Sequence, residues 1–520
     1  MNRAVLRPIL ATACACAFLL CGCTDMTPSS SEVSVSSESS ASSSEAPQSS
    51  NILTIGYNPS NGWNPYVSPS ILVVQNTGLI FEKLVEIAPD MSISYRIASA
   101  VECQGNQVTL HIRSGCSFAD GTPITEADAA ASIEAARSSE LYAARFANVQ
   151  RVTTEPGLVI LTLAEPDSLF AYLCDIPVIK ASETGSMSPT ASGRYIYSES
   201  SQLVKNPHAC FAEEDGPDTI QLTPVDSYEE MVSGLTVGSL NLYPTREVGD
   251  DSPSVTSSQT YYRTNNLIFL GINAKNAPEG SLLQTPAGRI LLSKALDRRQ
   301  LAAKSYYARA YAATGALNTF YPCAADQQSI LPEAEYTPAD VRAELENMGY
   351  ILDPVSGYYQ DANGQRLSLT LSVYSGSTYK KYAASLIQRQ LGACGIEVLL
   401  DEVADFALWA EKVEQENFNL YIGEVKLYNN MDMSPFFSGG AASTGIVPND
   451  ALNAAYAAFK LDQNQAGAFE SAFAAEMPYI PLLWRNGSLI HARTVSGLSP
   501  SVSNIFYSLA GLTVGSARNS

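Results

Sequence analysis

Apolar and polar residues alternate at 108–113, Val-Thr-Leu-His-Ile-Arg, which is the period of two expected of a strand with one buried face. Residues 367–373, Leu-Ser-Leu-Thr-Leu-Ser-Val, repeat that pattern. The β-branched run at 51–57 reads as a further strand, ending in Asn58-Pro59-Ser60-Asn61-Gly62, a loop by its Gly, Pro and Asn content. Downstream of 108–113, Phe118-Ala119-Asp120-Gly121-Thr122-Pro123 predicts a tight turn at Asp-Gly. Thr125 then caps a helix, with Asp128 three residues on in capping-box fashion, ahead of the Ala-rich run 129–136. Further helices are predicted over 291–307, 338–348 and 379–392. The second opens with Pro338 after Thr337 and stops at Gly349, the usual placement of the two residues. Strand 367–373, helix 379–392 and strand 396–400 form a βαβ unit by length and order, so a parallel sheet is expected there. Strands and helices mix throughout, which points to α/β or α+β domains, and no internal repeat is visible.

The front of the chain departs from this pattern. Arg3 and Arg7 precede an apolar stretch at 9–20, too short to span a bilayer and of the length of a signal peptide. Leu20-Cys21-Gly22-Cys23 resembles the lipobox of bacterial lipoproteins, whose last Cys is diacylated and becomes the first mature residue. Cys23 is taken as that residue. Cys21 is the alternative, although Leu19-Leu20 fits less well where a small residue is wanted. From Thr27 to Ser50, 13 of the 24 residues are Ser and none is aromatic, so the segment cannot bury enough surface to offset its ordering entropy. Residues 1–22 are therefore read as signal peptide and 23–50 as a lipid-anchored tether with a reach of about 27 Å. No later segment holds ~18 uninterrupted apolar residues. The lipid is the anchor this sequence offers, and the expected location is the outer face of the bacterial cytoplasmic membrane or the periplasm.

Composition narrows the function. At 520 residues the chain suggests two to four domains. Its net charge of −21 argues against nucleic acid, which is bound through Lys and Arg clusters. The 27 Tyr suit a ligand cleft as well as a half-buried core. With Cys14, Cys16, Cys21 and Cys23 assigned to the leader and the lipid, Cys103, Cys116, Cys174, Cys210, Cys323 and Cys394 remain. Cys103 and Cys116 flank one strand and form the nearest local pair, the alternative being free, buried thiols. The three His are far apart and no zinc spacing occurs, so neither a metal site nor a cofactor is expected. Ser377-Thr-Tyr-Lys380 matches S-x-x-K, and Tyr428-Asn-Asn430 resembles the second motif of penicillin-binding enzymes. The third element, Lys-Thr-Gly or Lys-Ser-Gly, does not follow, and G-x-S-x-G, H-E-x-x-H and P-loop motifs are absent. No catalytic residue is assigned; an S-x-x-K serine hydrolase acting on cell-wall peptides is the alternative.

The run Phe118-Ala-Asp-Gly-Thr-Pro-Ile-Thr-Glu-Ala-Asp128 resembles the signature of family 5 extracellular solute-binding proteins, the peptide- and nickel-binding lipoproteins of ABC importers. Other landmarks follow in the family's order: Phe81-Glu-Lys-Leu84, Gly193-Arg-Tyr195, Leu270-Gly-Ile-Asn273, Lys294-Ala-Leu-Asp-Arg298, Tyr336-Thr-Pro with Met348-Gly-Tyr350, and Ile480-Pro-Leu482. The resemblance covers almost the whole mature chain. It implies an α/β, two-lobed periplasmic-binding-protein-like fold of the cluster C type, with a hinge and an additional inserted domain. Its implied division is 51–75, 190–265 and 483–520 for domain I, 76–189 for the inserted domain II, and 266–482 for domain III, the second lobe. The implied role is capture of oligopeptides or dipeptides between the lobes and delivery to ABC permease subunits by a monomer. A metal complex or a sugar remains the alternative ligand.

In peptide-binding relatives an Asp four residues before a Pro receives the ligand ammonium, and a cation receives its carboxylate. Before Pro435 the strict position is Met431, with Asp432 one residue late. Asp432 is expected to be the ammonium partner, the alternative being a cap on the turn before Pro435. Lys426 stands where a carboxylate partner is placed, or is a solvated surface residue. Tyr428, Asn429 and Asn430 are expected to line the cleft. Trp63, Asn64 and Tyr66 follow the first strand where the family's Asn-Pro loop approaches ligand, with core packing as the alternative for Trp63 and Tyr66.

Overall fold

A computed structural model describes residues 52–198, 200–245, 257–325, 337–437, 439–447 and 449–515. The segments expected to be signal peptide and lipid-anchored tether, with Cys23, lie outside the described residues, and among the described residues no helix is long and apolar enough to cross a membrane.

Two large hydrophobic cores divide the body, beside a small cluster around Met231 and Leu240. The first gathers Leu53, Ile55, Phe118, Ile133, Leu161 and Leu222. It is fed by two four-stranded sheets. In one, Leu53–Tyr57 runs parallel to Thr219–Pro224, followed by Gln202–Lys205 and Tyr195–Ser198. The other is fully antiparallel, in the order Ala98–Gln104, Gln107–Ile112, Leu158–Leu163, Val149–Glu155. Because both sheets drain into one continuous core, the second extends the first lobe instead of moving independently of it. The other core, with Leu270, Leu291, Leu371, Ile387, Ile422 and Leu483, builds the second lobe.

A seven-stranded sheet joins the lobes. Its two long members, Ser257–Ile272 and Tyr479–Ala492, run antiparallel. Ser257 to Tyr262 pair with Ala492 to Gly487, beside Leu242–Pro244. From Asn266 onward the same strands pair with each other again and carry Leu420–Lys426 on the outer side. The register slips between Tyr262 and Asn266. Such a bulge breaks the ladder and bends the strand, and it lies where the chain passes from one lobe to the other, the place for a hinge. Thr264 Oγ1 donates to the Arg485 carbonyl (2.6 Å) and Asn318 Nδ2 to that of Thr264 (3.3 Å), so side chains occupy backbone groups freed by the bulge.

Most predicted elements form. The alternating run yields Gln107–Ile112 and the capped run yields Glu126–Ser138, with the Asp128 carboxylate accepting from Thr125 N (2.9 Å) and Oγ1 (2.8 Å). Pro338–Asn347 and Thr378–Ala393 are helical. Ser368–Tyr374 and Glu397–Val403 pair in parallel around the second, completing the βαβ unit. The helix expected over 291–307 is instead two, Pro286–Lys294 and Arg298–Ser305, because the Asp297 side chain accepts from Gln300 N (2.9 Å) and starts a new helix. The cysteine pairing also differs from expectation. Cys116 bonds Cys210, 94 residues away, while Cys103 is a free thiol. The bond ties the loop after Gln107–Ile112 to the segment following Gln202–Lys205, and closing a loop of that length stabilises by roughly 4–5 kcal/mol in the chain-entropy account.

Candidate ligand cleft between the lobes

The loop that follows Leu420–Lys426 is pinned to the hinge. Leu427 N donates to Asn265 O (3.0 Å), and Met431, buried at φ 52°, closes a turn onto the Tyr428 carbonyl (3.0 Å). A non-glycine residue in the left-handed region costs about 1 kcal/mol or more, so the surrounding packing must hold it there. Asn265 Nδ2 donates to the Tyr321 hydroxyl (2.5 Å) and to Asn429 Oδ1 (3.2 Å), and Tyr321 donates in turn to the Asn429 carbonyl (2.8 Å). Asn429 and Asn430 then face the first lobe: Asn430 Nδ2 donates to Asp167 Oδ2 (2.6 Å) and Asn429 Nδ2 to Asp175 Oδ2 (3.4 Å). Asn430 is 5% exposed, and its Oδ1 has no hydrogen-bond partner among the described residues. A buried bare acceptor beside a carboxylate is a place for an incoming N–H.

The first lobe meets this loop with one short element. In the 3₁₀ turn Phe170–Leu173, Phe170 and Leu173 belong to the first core, whereas Leu169, just before it, and Tyr172 belong to the second. Tyr172 lies 4.8 Å from Tyr321, ring to ring. Burial raises the Asp167 carboxyl above its ordinary range, opposed by Lys460, whose Nζ is 3.2 Å from Oδ1. Asp175 pairs with Arg145.

Sequence reasoning missed a charged cluster beside the hinge. Glu424 is bracketed by Lys380 Nζ (2.8 Å) and Arg485 Nη1 (3.3 Å). Burial alone would raise its carboxyl, but the two cations outweigh burial and hold it below its ordinary value. Arg309 donates to the Tyr379 hydroxyl, and the Arg309 and Arg485 guanidinium groups lie 5.7 and 5.6 Å from the Tyr379 ring. Lys380, Arg485 and Glu424 thus form a buried ion cluster at the strand that ends at Lys426. The signal in sequence was S-x-x-K itself, weighed there only as the motif of the alternative, a serine hydrolase. Ser377 instead caps Thr378–Ala393, accepting from Lys380 N (3.4 Å), and the Lys380 ammonium goes to Glu424.

The remaining predicted residues fall in two places. Asp432 is half-buried on the same loop as Tyr428, Asn429 and Asn430, which Lys426 precedes as the last residue of its strand. It accepts from Ser434 N (3.1 Å), Ser434 Oγ (2.8 Å) and the Tyr456 hydroxyl (2.7 Å). Tyr428 and Lys426 are exposed. Trp63, Asn64 and Tyr66 are brought together on the first lobe and not to that loop. Asn64 Nδ2 donates to the Thr184 and Ser186 carbonyls (2.8 Å each), and the Tyr66 hydroxyl to Pro177 O (2.5 Å). Trp63 stacks on Tyr57 at 5.8 Å and lines a cavity of about 580 Å³ with Asn58, Asp120, Pro189 and Tyr197, all first-lobe residues.

Comparison with known proteins bears on this two-lobed arrangement. The family model described as bacterial extracellular solute-binding proteins, family 5 Middle, matches residues 93–446. Among curated proteins no match is found. Solved structures of similar fold include the oligopeptide-binding protein AppA from Bacillus subtilis in complex with a nonapeptide, at 17% identity, covering 91% of this chain and 100% of that one, TM-score 0.52. A nickel ABC transporter protein from Bacillus halodurans superposes at TM-score 0.71 with 16% identity, covering 89% and 100%. The periplasmic murein tripeptide binding protein MppA, in its unliganded open form, gives TM-score 0.72 at 16% identity, covering 90% and 98%. With a family match across most of the body and the same two-lobed fold in these structures, the chain belongs to the bacterial extracellular solute-binding proteins of family 5.

Proposed function

We propose that this solute-binding protein captures short peptides between its lobes and delivers them to an ABC permease, held to the membrane by a lipid on Cys23. The domain boundaries expected from sequence are carried into this proposal. The observation that supports a peptide is the buried Oδ1 of Asn430, without a hydrogen-bond partner among the described residues, set on the same loop as Asp432, whose carboxylate suits an ammonium that a sugar lacks. A peptide brings an N–H for the amide, an ammonium for Asp432 and a carboxylate for a cation, the role proposed for Lys426. Three of the roughly four lone-pair positions on the Asp432 carboxylate are in use, which leaves one for an ammonium N–H. Tyr428 and Asn429 are proposed to line the same wall, with Trp63 as the contact from the first lobe and Asn64 and Tyr66 packed behind it. A ligand that bridges the lobes stabilises the closed arrangement by its differential affinity for it.

The test is calorimetric titration of the purified protein with a defined peptide library. Saturable binding with a rise in Tm is expected. Asp432→Asn should weaken free-amine peptides about tenfold or more and leave N-acetylated analogues nearly unchanged; equal losses would remove Asp432 from the ammonium site. A library that binds nowhere, alongside saturable binding of a nickel complex, would overturn the peptide reading.

A further inference from the structure

A second cavity lies in the second lobe, behind the loop that carries Asp432, with the buried Met433 forming part of its wall. It holds about 320 Å³ and is walled by Phe436, Phe437, Phe469, Phe473 and Tyr479. Phe436 stacks on Tyr479 at 3.9 Å between centroids, and Phe473 meets Tyr479 at 5.0 Å. Its position follows from the strand register. Ser257–Ile272 and Leu420–Lys426 pair from Asn266 opposite Lys426, at the hinge, to Ile272 opposite Leu420. That run of six steps covers about 20 Å. Lys275 and Glu416, which line the cavity mouth, lie beyond its far end, and among the described residues no first-lobe side chain contributes. One wall is fixed to this sheet end through Gly445, whose carbonyl accepts from Ala274 N (3.0 Å) and Lys275 N (3.1 Å). A Cβ at Gly445 would meet Asn273 Cα and Ile272 O at 2.8 Å, so only glycine lets the loop approach this closely.

The chemistry of the cavity is two-sided. Its interior is aromatic, and the hydroxyl of Tyr479, 2% exposed, has no hydrogen-bond partner among the described residues. At the mouth, Lys275 Nζ is neutralised by Glu416 Oε1 (2.6 Å), and Asn276 Nδ2 occupies Oε2 (2.6 Å). The exposed Glu414 leaves the mouth with two carboxylates against one ammonium. A volume near the lower end of small-molecule pockets, about 300–1,000 Å³, accommodates one ring and a short chain, not a peptide. We propose that this cavity is a second, independent binding site for an arylalkylamine, a single aromatic ring carried in the box of Phe and Tyr side chains with its ammonium at Glu414. Aromatic rings supply edge-to-face and stacked contacts, and the rim carboxylate selects an amine over an acid of the same shape. The site does not depend on what the cleft between the lobes takes.

Phenethylamine is the probe, with phenylacetate as the ring of similar size and opposite charge, each titrated into the mature protein by calorimetry. Saturable one-to-one binding of phenethylamine is expected, with phenylacetate at least tenfold weaker. Glu414→Gln should weaken phenethylamine three- to tenfold. Val447→Trp, at a mouth position 50% exposed, should abolish binding by filling the entrance while leaving the Tm of the free protein and peptide titrations unchanged. Absence of saturable binding at millimolar phenethylamine, or equal binding by Val447→Trp, overturns the site. Equal affinity for phenylacetate overturns its assignment to amines. Peptide titrations run in parallel keep a failure here distinct from a failure at the cleft.

Discussion

Glu470 is 3% exposed in the core of the second lobe, and its carboxylate accepts the N–H groups of Ala316 (2.9 Å) and Leu317 (2.7 Å). Burial pushes its carboxyl up to about 7 against the pull of those two bonds, and its charge in turn adds to the burial that raises the Tyr479 hydroxyl. The unfolded carboxyl titrates near its ordinary value of 4.5. Protons are therefore bound more tightly by the folded chain: the contribution to stability is fully present below pH 4.5 and is lost as pH rises through about 7. At 1.36 kcal/mol per unit, the span is worth roughly 3 kcal/mol. The urea midpoint should fall between pH 5 and pH 8 for this reason, and Glu470→Gln should flatten that part of the profile. A variant that keeps the parent slope would show that other groups set it. At this scale the sequence was legible where a side chain acts on its neighbours and opaque where it acts across the fold. The turn-capping alternative for Asp432 could be read from Asp-Met-Ser-Pro, and Ser434 does bond to it. Asp167 and Asn430 are 263 positions apart, and no local pattern announces that a carboxylate and an amide so separated will share a hydrogen bond.

Among the elements, Glu126–Ser138 shows how much a local motif determines. Asp128 is 7% exposed and does more than close the capping box. Its Oδ2 accepts from Thr125 N and Oγ1, while Oδ1 accepts from Ala181 N at 2.8 Å. Loss of an N-terminal cap costs about 1 kcal/mol, and loss of the part-buried bond from Ala181 N adds about 1 kcal/mol. Asp128→Ala should therefore destabilise by about 2 kcal/mol in denaturant unfolding. Thr125→Ala, which leaves the bond to Ala181 intact, should cost only about 1 kcal/mol; equal losses would mean that the reach to Ala181 contributes nothing. This box, the βαβ unit and the helix at Pro338–Asn347 were predictable because propensity, caps and period agree over a few residues. The break at Asp297 was not, since the apolar spacing continues across it and only the Asp297 cap decides. The long strands Ser257–Ile272 and Tyr479–Ala492 were legible only as pieces, because each spans two lobes with different surroundings along its length. The disulfide partner of Cys116 was hidden for the same reason: Cys210 is distant in the chain and reaches it through the fold, whereas Cys103 was merely near in sequence.

At the scale of the whole molecule, the lobes meet through the turn Phe170–Leu173 and its flanks. Ser168 N donates to the Lys460 carbonyl (2.7 Å) and Ser168 Oγ to that of Phe459 (2.8 Å), while Lys460 Nζ and Asn430 share Asp167. Asp167 is 2% exposed. Breaking a pair this deeply buried leaves an uncompensated charge and is more damaging than loss of a surface pair. If this contact is a clasp that forms on closure, its loss raises the free energy of the closed state alone. Lys460→Met should then shift the free protein toward the open arrangement, seen as a larger radius of gyration in small-angle scattering. The apparent peptide Kd should rise by the factor by which the closed population falls, tenfold for each 1.4 kcal/mol. Saturating peptide should return the radius to the parent value, since ligand and clasp stabilise the same state. If instead the turn is rigidly attached to both lobes and the hinge bends elsewhere, Lys460→Met lowers the Tm but leaves the radius and its response to peptide unchanged. That result would move the line of opening away from Asp167. The bulge between Tyr262 and Asn266 favours the clasp, because Arg485, at the end of the pairing that resumes at Asn266, also brackets Glu424. A rotation there carries the Glu424 cluster and the Asn429–Asn430 loop together, away from Asp167 and Asp175.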